Sequence, residues 1–184
     1  MILPIYVYGS AVLRKQAQEV APDMPGLSQL IADLFDTMYH ADGVGLAAPQ
    51  VGRSLRIFVV DGSPIGDDRP EVKDFKRVMI NPKIIEESPQ KVILSEGCLS
   101  IPSLNADIER PEEIVISYYN EQLQPQTERL SGFACRMVQH EYDHLEGALF
   151  TDLAAPIRKK MLQSKLLAIG KGRGQASYKT ILDI

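Results

Sequence analysis

The sequence predicts an α+β fold in which mostly antiparallel β-sheets pack around a central helix, with one further helix near each end of the chain. Strand-like segments follow one another through the middle of the sequence instead of alternating with helices, which is typical of antiparallel sheets. Helical periodicity is confined to three segments. The chain has 184 residues, with no internal repeat and no linker-like stretch. It is therefore expected to form a single domain over residues 1–184.

Each of the helical segments has a recognisable start or end. The first two carry apolar residues at three- and four-residue spacing. The second is followed by Gly147, a typical C-terminal cap. The third has Pro156 in its first turn and Gly170 directly after its end, and residues 170–184 are expected to form a mobile tail. The three helices are predicted at residues 25–40, 131–145 and 156–169.

The strands are predicted from short runs of β-branched and aromatic residues. Residues 114–119 form the clearest run, and Asn120-Glu121 directly after them is suited to begin a hairpin turn. Residues 62–76 are polar and contain two prolines, which predicts a surface loop. The small residues of the segment 43–50 are too few and too irregular for a helix. Strands are predicted at residues 56–61, 77–81, 91–94 and 114–119.

The composition indicates an ordinary folded protein, because 45% of the residues are hydrophobic and 24% are charged. Two cysteines are too few for a disulfide-dense secreted scaffold. No apolar stretch is long enough to cross a bilayer, and the N-terminal sequence does not resemble a signal peptide. We therefore expect a cytoplasmic protein in a reducing environment, with neither a membrane nor DNA among its partners.

The formal net charge of −4 hides an asymmetry along the chain. Seven basic residues and no acidic ones lie between Leu153 and Leu182, so the remainder of the chain carries a charge of −11. This basic stretch is either a solvated helix face with a tail, or a cationic patch for a polyanion such as RNA. Composition alone does not decide between the two. The seven residues are Arg158, Lys159, Lys160, Lys165, Lys171, Arg173 and Lys179.

The most informative segment lies in the second predicted helix, which is the central helix of the expected fold. His140 and His144 are four residues apart, so a helix places both imidazoles on one face, where they can bind one metal ion. Glu141, beside the first histidine, can then reach a water on the metal as a general base. The chain contains only three histidines, and a chance match to this HExxH pattern is rare.

A catalytic metal needs a third protein ligand and an open position. His40, the remaining histidine, lies in the first predicted helix without a partner. No histidine follows the pair. The acidic residues downstream, Glu146 and Asp152, follow too closely to belong to a separate ligand-bearing helix. These residues are therefore weaker candidates.

The two cysteines differ in their positions. Cys135 precedes His140 by five residues, on the opposite side of the helix, and is expected to be a small buried hydrophobic residue. Cys98 directly follows a predicted strand, after Gly97, whose flexibility allows the backbone to turn. By elimination Cys98 is the third ligand, bound as a thiolate. A set of one cysteine and two histidines leaves one position for water.

Three segments together resemble the signature motifs of the bacterial-type peptide deformylases, in that family's order and at about its spacing. The segments are residues 43–50 (GVGLAAPQ), 96–100 (EGCLS) and 140–144 (HEYDH). The resemblance implies removal of the formyl group from the N-terminal formyl-methionine of newly synthesised polypeptides, with release of formate. It also implies one Fe²⁺ ion, bound by Cys98, His140 and His144, at a site that Ni²⁺, Co²⁺ or Zn²⁺ can also occupy.

The resemblance also assigns chemical roles to single residues. It implies attack of a metal-bound hydroxide on the formyl carbon, with Glu141 as the general base that later protonates the leaving amine. The side-chain amide of Gln50 and the backbone N–H of Leu99 are implied to stabilise the oxyanion. Gly43 and Gly45 are either plain turn glycines or, as the resemblance implies, backbone that pairs with the extended substrate.

The remaining residues of the motifs have structural roles or line the site. Val44 and Met137 either line an apolar pocket for the methionine side chain of the substrate or belong to the core. Glu96 is expected to pair with Arg110 and to brace the loop that carries Cys98, without binding the metal itself.

In some members of that family a basic C-terminal helix docks on the ribosome, and the basic helix predicted at residues 156–169 is consistent with such docking, so both interpretations of the basic stretch stay open. Two rival functions are a metallopeptidase that cuts internal amide bonds and a non-catalytic RNA-binding module with a closed structural metal site. The first lacks a convincing third ligand of its own, and the second requires four protein ligands.

Overall fold

Three α-helices and nine strands form the regular structure of the chain, which a computed structural model describes over residues 1–184. None of the helices combines the length and the apolar content that a membrane crossing needs. The helices are α1 (Leu27–His40), α2 (Gly132–Leu145) and α3 (Pro156–Ile169). The strands are β1 (Ile5–Tyr6), β2 (Gly45–Ala47), β3 (Ile57–Asp61), β4 (Lys76–Glu87), β5 (Lys91–Cys98), β6 (Ile101–Pro111), β7 (Glu113–Tyr119), β8 (Pro125–Ser131) and β9 (Thr180–Ile181).

Most of the strands pair in an antiparallel manner. The largest sheet has five strands in the order β2-β3-β4-β7-β8, so β2 lies at one of its edges. β5 and β6 form a separate antiparallel hairpin, whose turn is Leu99-Ser100. Only β1 and β9 pair in parallel. These sheets and the three helices confirm the predicted mixture of helices and antiparallel strands.

The helix α2 lies against the five-stranded sheet and contacts β2, β3 and β8. Cys135, Val138 and Leu145 are buried along its inward face, at the spacing that the sequence predicts. Full burial of a large apolar side chain of this kind stabilises the fold by about 1.5–3 kcal/mol. Gly147 follows the helix with a φ of 74°, which confirms the predicted C-terminal cap.

The strand β4 is longer than the predicted strand, which ends at Asn81. Asn81 has a φ of 49°, and the pairing of β4 with β7 shifts register between Ile80 and Lys83. Pro82 follows directly and lacks the N–H that a regular ladder uses. The irregularity interrupts the sequence pattern of the strand, although the strand itself continues to Glu87.

Five of the nine strands are absent from the sequence predictions: the short strands β1, β2 and β9, and the longer strands β6 and β8. The residues of β6 alternate strictly between buried and exposed from Ser103 to Arg110, as a half-buried strand requires. The inward set ends in the charged Arg110, however, and Pro102 lies near the start of the strand. β8 has a polar sequence in which Leu130 is the one buried residue, so it shows no apolar alternation.

The prediction of a mobile tail after α3 is wrong. Within residues 170–184, β9 pairs with β1 at the other end of the chain. The N–H of Ile5 donates to the carbonyl of Lys179 at 2.9 Å, and that of Val7 donates to the carbonyl of Ile181 at 3.0 Å. Because the partner strand is more than 170 residues away in sequence, no local pattern reveals the pairing.

Candidate metal centre and active site

The two histidines of α2 lie on the same face of the helix, opposite the end of β5. One ligand atom each of Cys98, His140 and His144 lie within 4.8 Å of one another. The Sγ atom of Cys98 is 3.4 Å from Nε2 of His144. The two imidazole rings meet edge to face, with centroids 5.2 Å apart. The structure therefore brings together the three residues that the sequence predicts as metal ligands.

Glu96 fixes the orientation of His140. Its Oε1 atom is 2.9 Å from Nδ1 of His140, so the Nε2 atom of that ring remains available to bind a metal ion. The expected pair with Arg110 is present, at 2.6 Å and 2.9 Å from the guanidinium to the two carboxylate oxygens. Arg110 also contacts Asp143 at 2.8 Å, and so joins the hairpin of β5 and β6 to α2.

Arg136 is a partner of Glu96 that the sequence analysis missed. Its guanidinium donates to Glu96 at 2.6 Å and to two carbonyls of the β5–β6 hairpin. Burial opposes ionisation of Glu96, but hydrogen bonds from His140 and Arg110 outweigh it, so its pKa is lowered and it stays a carboxylate. The position of Arg136 one helical turn before His140, on the inward face, is the signal that could have revealed it.

The environment of the two imidazoles is electrostatically uneven. Burial opposes protonation of His140, but hydrogen bonds to Cys98 and Glu96 outweigh it and raise its pKa. Burial and the neighbouring His140 lower the pKa of His144. The protonated, positively charged form of His140 is thus stabilised by the nearby Cys98 and Glu96. A metal-bound imidazole is neutral, so His144 can bind an ion as it stands, whereas binding by His140 is coupled to loss of its proton.

Glu141 lies beside the ligands with its carboxylate buried. Its Oε2 atom makes no hydrogen bond within the chain, and its other oxygen lies against Gly45, where an added Cβ would overlap it. Burial raises the pKa of Glu141 to about 7. A carboxylate with one free oxygen, next to three potential metal ligands, can exchange a proton with a small molecule bound there.

Gln50 is buried, and its side-chain amide has a fixed orientation. Its Oε1 atom accepts the N–H of Ala47 at 2.9 Å, so its NH₂ group must point the other way. That group lies 3.6 Å from Sγ of Cys98 and donates to Oγ of Ser100 at 3.1 Å. Ser100, which the sequence analysis did not single out, is therefore a support of the site.

Leu99 occupies the first position of the tight turn between β5 and β6. Its backbone N–H makes no hydrogen bond within the chain, whereas its carbonyl accepts a hydrogen bond from Tyr178 at 2.7 Å. Its side chain packs against Gly43, where a Cβ would come within 2.7 Å of it. A side chain at position 43 would therefore force the Leu99 side chain to move.

These residues border a cleft of about 820 Å³. Val44 and Met137 both line it, and both also pack on the core cluster beneath, so the two interpretations from the sequence describe the same place. Gly45 starts the edge strand β2, whose outer side carries no further strand. Besides the residues already described, Phe133 also faces the cleft.

The weaker ligand candidates lie in other surroundings. His40 is exposed at the end of α1. Glu146 forms an ion pair with Arg56, and Asp152 forms one with Arg14. Cys135 is buried as expected, and burial raises the pKa of its thiol to about 11, so it remains protonated.

The donor set fits a catalytic transition-metal ion. A thiolate and two imidazoles are ligands that Fe²⁺, Ni²⁺, Co²⁺ and Zn²⁺ all accept. Three protein ligands leave a position open for water or substrate, as catalytic sites require. The hydrogen bond from His140 to the Glu96 carboxylate is the usual outer support of a metal-bound histidine.

Residues 2–160 match the sequence model of the family described as polypeptide deformylase. The chain belongs to this family. Polypeptide deformylases remove the formyl group from the N-terminus of newly synthesised polypeptides, and they depend on a metal ion. The match ends within α3, so residues 161–184 lie outside it.

Relatives within the polypeptide deformylase family are similar over nearly the whole chain. The peptide deformylase of Christiangramia forsetii is 47% identical, over 97% of this chain and 95% of the relative. The crystal structure of the Plasmodium falciparum enzyme superposes with a TM-score of 0.83 at 36% identity, over 91% of this chain and 95% of that one. The Thermus thermophilus enzyme gives a TM-score of 0.82 at 37% identity, over 94% and 99%.

Proposed function

We propose that residues 1–184 act as a single catalytic domain that deformylates the N-terminal formyl-methionine of nascent chains in the cytoplasm, with Fe²⁺ held by Cys98, His140 and His144. The observation that carries this proposal is the convergence of the three ligand atoms within 4.8 Å beside the buried Glu141. Ni²⁺, Co²⁺ or Zn²⁺ suits the same donors, and selection among these metals in a cell depends strongly on their availability. When bound, such an ion acts as a Lewis acid towards water and the formyl oxygen.

Glu141 moves the proton in this mechanism. Its free carboxylate oxygen accepts a proton from the attacking water, whose oxygen adds to the formyl carbon. The same carboxyl group then delivers the proton to the nitrogen of methionine as the C–N bond breaks. Formate and a free amino group are the products. Gly45 leaves room for this carboxylate between β2 and α2.

Gln50 and Leu99 stabilise the oxygen that becomes negative during the attack. The amide of Gln50 is held by Ala47 with its donor side towards Cys98. The N–H of Leu99 is free of other partners. Donors preset in this way need no rearrangement as charge develops, and one of them contributes about 3–4 kcal/mol in comparable hydrolases.

The substrate binds along the edge of the five-stranded sheet. Gly43 and Gly45 present backbone to an extended peptide, which adds to the sheet as a strand beside β2. Val44 and Met137 contact the methionine side chain in the cleft. Glu96, held by Arg110, keeps the ring of His140 in its binding orientation.

The basic helix α3 is a candidate for docking on the ribosome. Lys159, Lys160 and Lys165 are exposed on it and have no acidic partner within 4 Å. A cationic surface of this kind attracts polyanionic RNA. Co-sedimentation with ribosomes that weakens as salt is raised would support this docking, and binding independent of salt would contradict it.

The proposed activity can be tested with a short substrate. Protein purified without oxygen, with its metal quantified, should release formate from a formyl-methionyl tripeptide. It should leave the corresponding acetyl peptide and the internal peptide bonds intact. Absence of formate release by the folded, metal-replete protein would reject the proposal, and cleavage of internal bonds would favour a metallopeptidase.

A further inference from the structure

The segment that follows α3 returns to the cleft. Residues 175–178 lie along its wall, beside Ser103 and Asn105 of β6. Tyr178 is half-buried, and its hydroxyl donates a hydrogen bond of 2.7 Å to the carbonyl of Leu99. This segment lies beyond residue 160, where the match to the polypeptide deformylase family ends.

Contacts on both sides fix the position of Tyr178. Before it, the hydroxyl of Ser103 donates to the carbonyl of Gln175 at 3.4 Å. After it, the N–H of Ile5 donates to the carbonyl of Lys179 at 2.9 Å, and β9 begins at the next residue. The backbone is therefore anchored on both sides of Tyr178, which holds the tyrosine at the cleft.

The turn that Tyr178 contacts is held from several directions. The carbonyl of Ser100 accepts the N–H of Tyr8 at 2.8 Å, and its hydroxyl accepts the amide of Gln50. The carbonyl of Leu99 has Tyr178 as its partner. Only the φ and ψ angles of Leu99 separate its carbonyl from its N–H. Fixing the carbonyl therefore also restricts the direction of the N–H.

We propose that Tyr178 is a positioning residue for deformylation, which acts by holding the Leu99 N–H in the direction that the developing oxyanion requires. The inference rests on the function proposed above, in which that N–H is an oxyanion donor. Tyr178 does not touch the reacting atoms itself. Removal of its hydroxyl should therefore slow the chemical step and leave substrate binding nearly unchanged.

The substitution Tyr178→Phe removes only the hydroxyl, and Tyr118→Phe is its matched control. The hydroxyl of Tyr118 also donates one hydrogen bond of 2.7 Å, but to Glu128 in β8, outside the cleft. Loss of one hydrogen bond from Tyr178 should lower kcat about three- to tenfold with KM unchanged. Tyr118→Phe should leave both constants as in the parent protein.

A thioformyl-methionyl peptide, in which sulfur replaces the formyl oxygen, separates positioning from a general structural effect. Sulfur accepts hydrogen bonds weakly, so the effect of Tyr178→Phe on the release of the free amino group should shrink to less than about twofold. Amide hydrogen exchange at Leu99 and Ser100, measured without substrate, should become faster in Tyr178→Phe and stay unchanged in Tyr118→Phe.

An equal loss of kcat on both peptides, a change confined to KM, or no loss at all would overturn the positioning role. So would unchanged exchange at the turn. If the parent protein releases no amino group from the formyl peptide, the proposed function itself fails, and the inference fails with it.

Discussion

Gly45 and Glu141 show how tightly single residues are matched at the centre. The carboxylate of Glu141 lies against the α-carbon of Gly45, where a Cβ would overlap its Oε1 atom and come within 2.8 Å of its Cδ. A methyl group there must displace either the edge strand β2 or the carboxylate. If Glu141 transfers the proton as proposed, a shift of this size is costly to catalysis, even when the fold survives.

We therefore predict that Gly45→Ala lowers kcat/KM for a formyl-methionyl peptide about 100-fold, while the protein stays folded. Gly170→Ala is the control, because a Cβ at that position meets no atom closer than 3.5 Å and its φ is ordinary. Steady-state kinetics and thermal unfolding of both variants check the prediction. Near-normal activity in Gly45→Ala would show that this contact is not needed.

Not all residues of the site could be predicted from the sequence. The histidine pair, Glu141 and Cys98 carry chemical types and spacings that indicate a metal. Ser100 and Tyr178 carry no such signal, because their partners lie on elements that are distant in sequence. For Arg136 the one signal is its position a helical turn before His140. Their importance follows from the packing of the hairpin and the C-terminal segment around α2.

At the scale of single elements, the hairpin of β7 and β8 is joined to β4 by a half-buried carboxylate. Glu128 accepts hydrogen bonds from Arg77 and from the hydroxyl of Tyr118. Burial opposes its ionisation, but these two partners outweigh burial and lower the pKa of Glu128 below its usual value of 4.5. The sequence of β8 is polar, so no apolar pattern predicts the strand. One of its polar residues, Glu128, anchors it.

This lowered pKa sets the sign of a pH effect. A carboxyl group whose pKa is lower in the folded state stabilises the protein fully above its unfolded pKa, and the contribution is lost as pH falls through the folded value. We predict that Glu128→Gln lowers the free energy of unfolding by about 1–3 kcal/mol at pH 7. The deficit should shrink towards pH 3.

Urea denaturation from pH 3 to pH 7 measures this effect, with Glu121→Gln in the exposed β7–β8 turn as the control. Glu121 has no hydrogen-bond partner or ion pair within the chain, so its replacement should change little. A deficit of Glu128→Gln that is constant over the whole pH range would contradict the assignment.

Some of the elements can be predicted from the sequence and others cannot. α2 and α3 follow from apolar spacing and from caps, and β3 and β7 follow from β-branched runs. The sequence does not predict β6, because the charged Arg110 occupies an inward position. Burial of this charge is tolerated because Glu96 and Asp143 form ion pairs with it. A residue whose burial depends on a distant partner cannot be recognised from its own segment.

At the scale of the whole molecule, the two ends of the chain meet beside the cleft. β1 pairs with β9. Close to these strands, the backbone N–H of Tyr8 and the hydroxyl of Tyr178 donate hydrogen bonds to the turn of the β5–β6 hairpin. The C-terminal segment thus connects the basic helix α3 to the wall of the active site. No pattern within a single segment indicates such long-range closure, so the sequence predicts a mobile tail.

The proposed reaction depends on proton transfer by Glu141 at a metal ion held by Cys98, His140 and His144. The most direct test compares formate release and bound metal per chain in the parent protein and in Glu141→Gln. We predict that the variant retains about one metal ion per chain but loses formate release by at least about 100-fold. A metal-loaded Glu141→Gln protein that releases formate at nearly the parent rate would show that Glu141 does not transfer the proton.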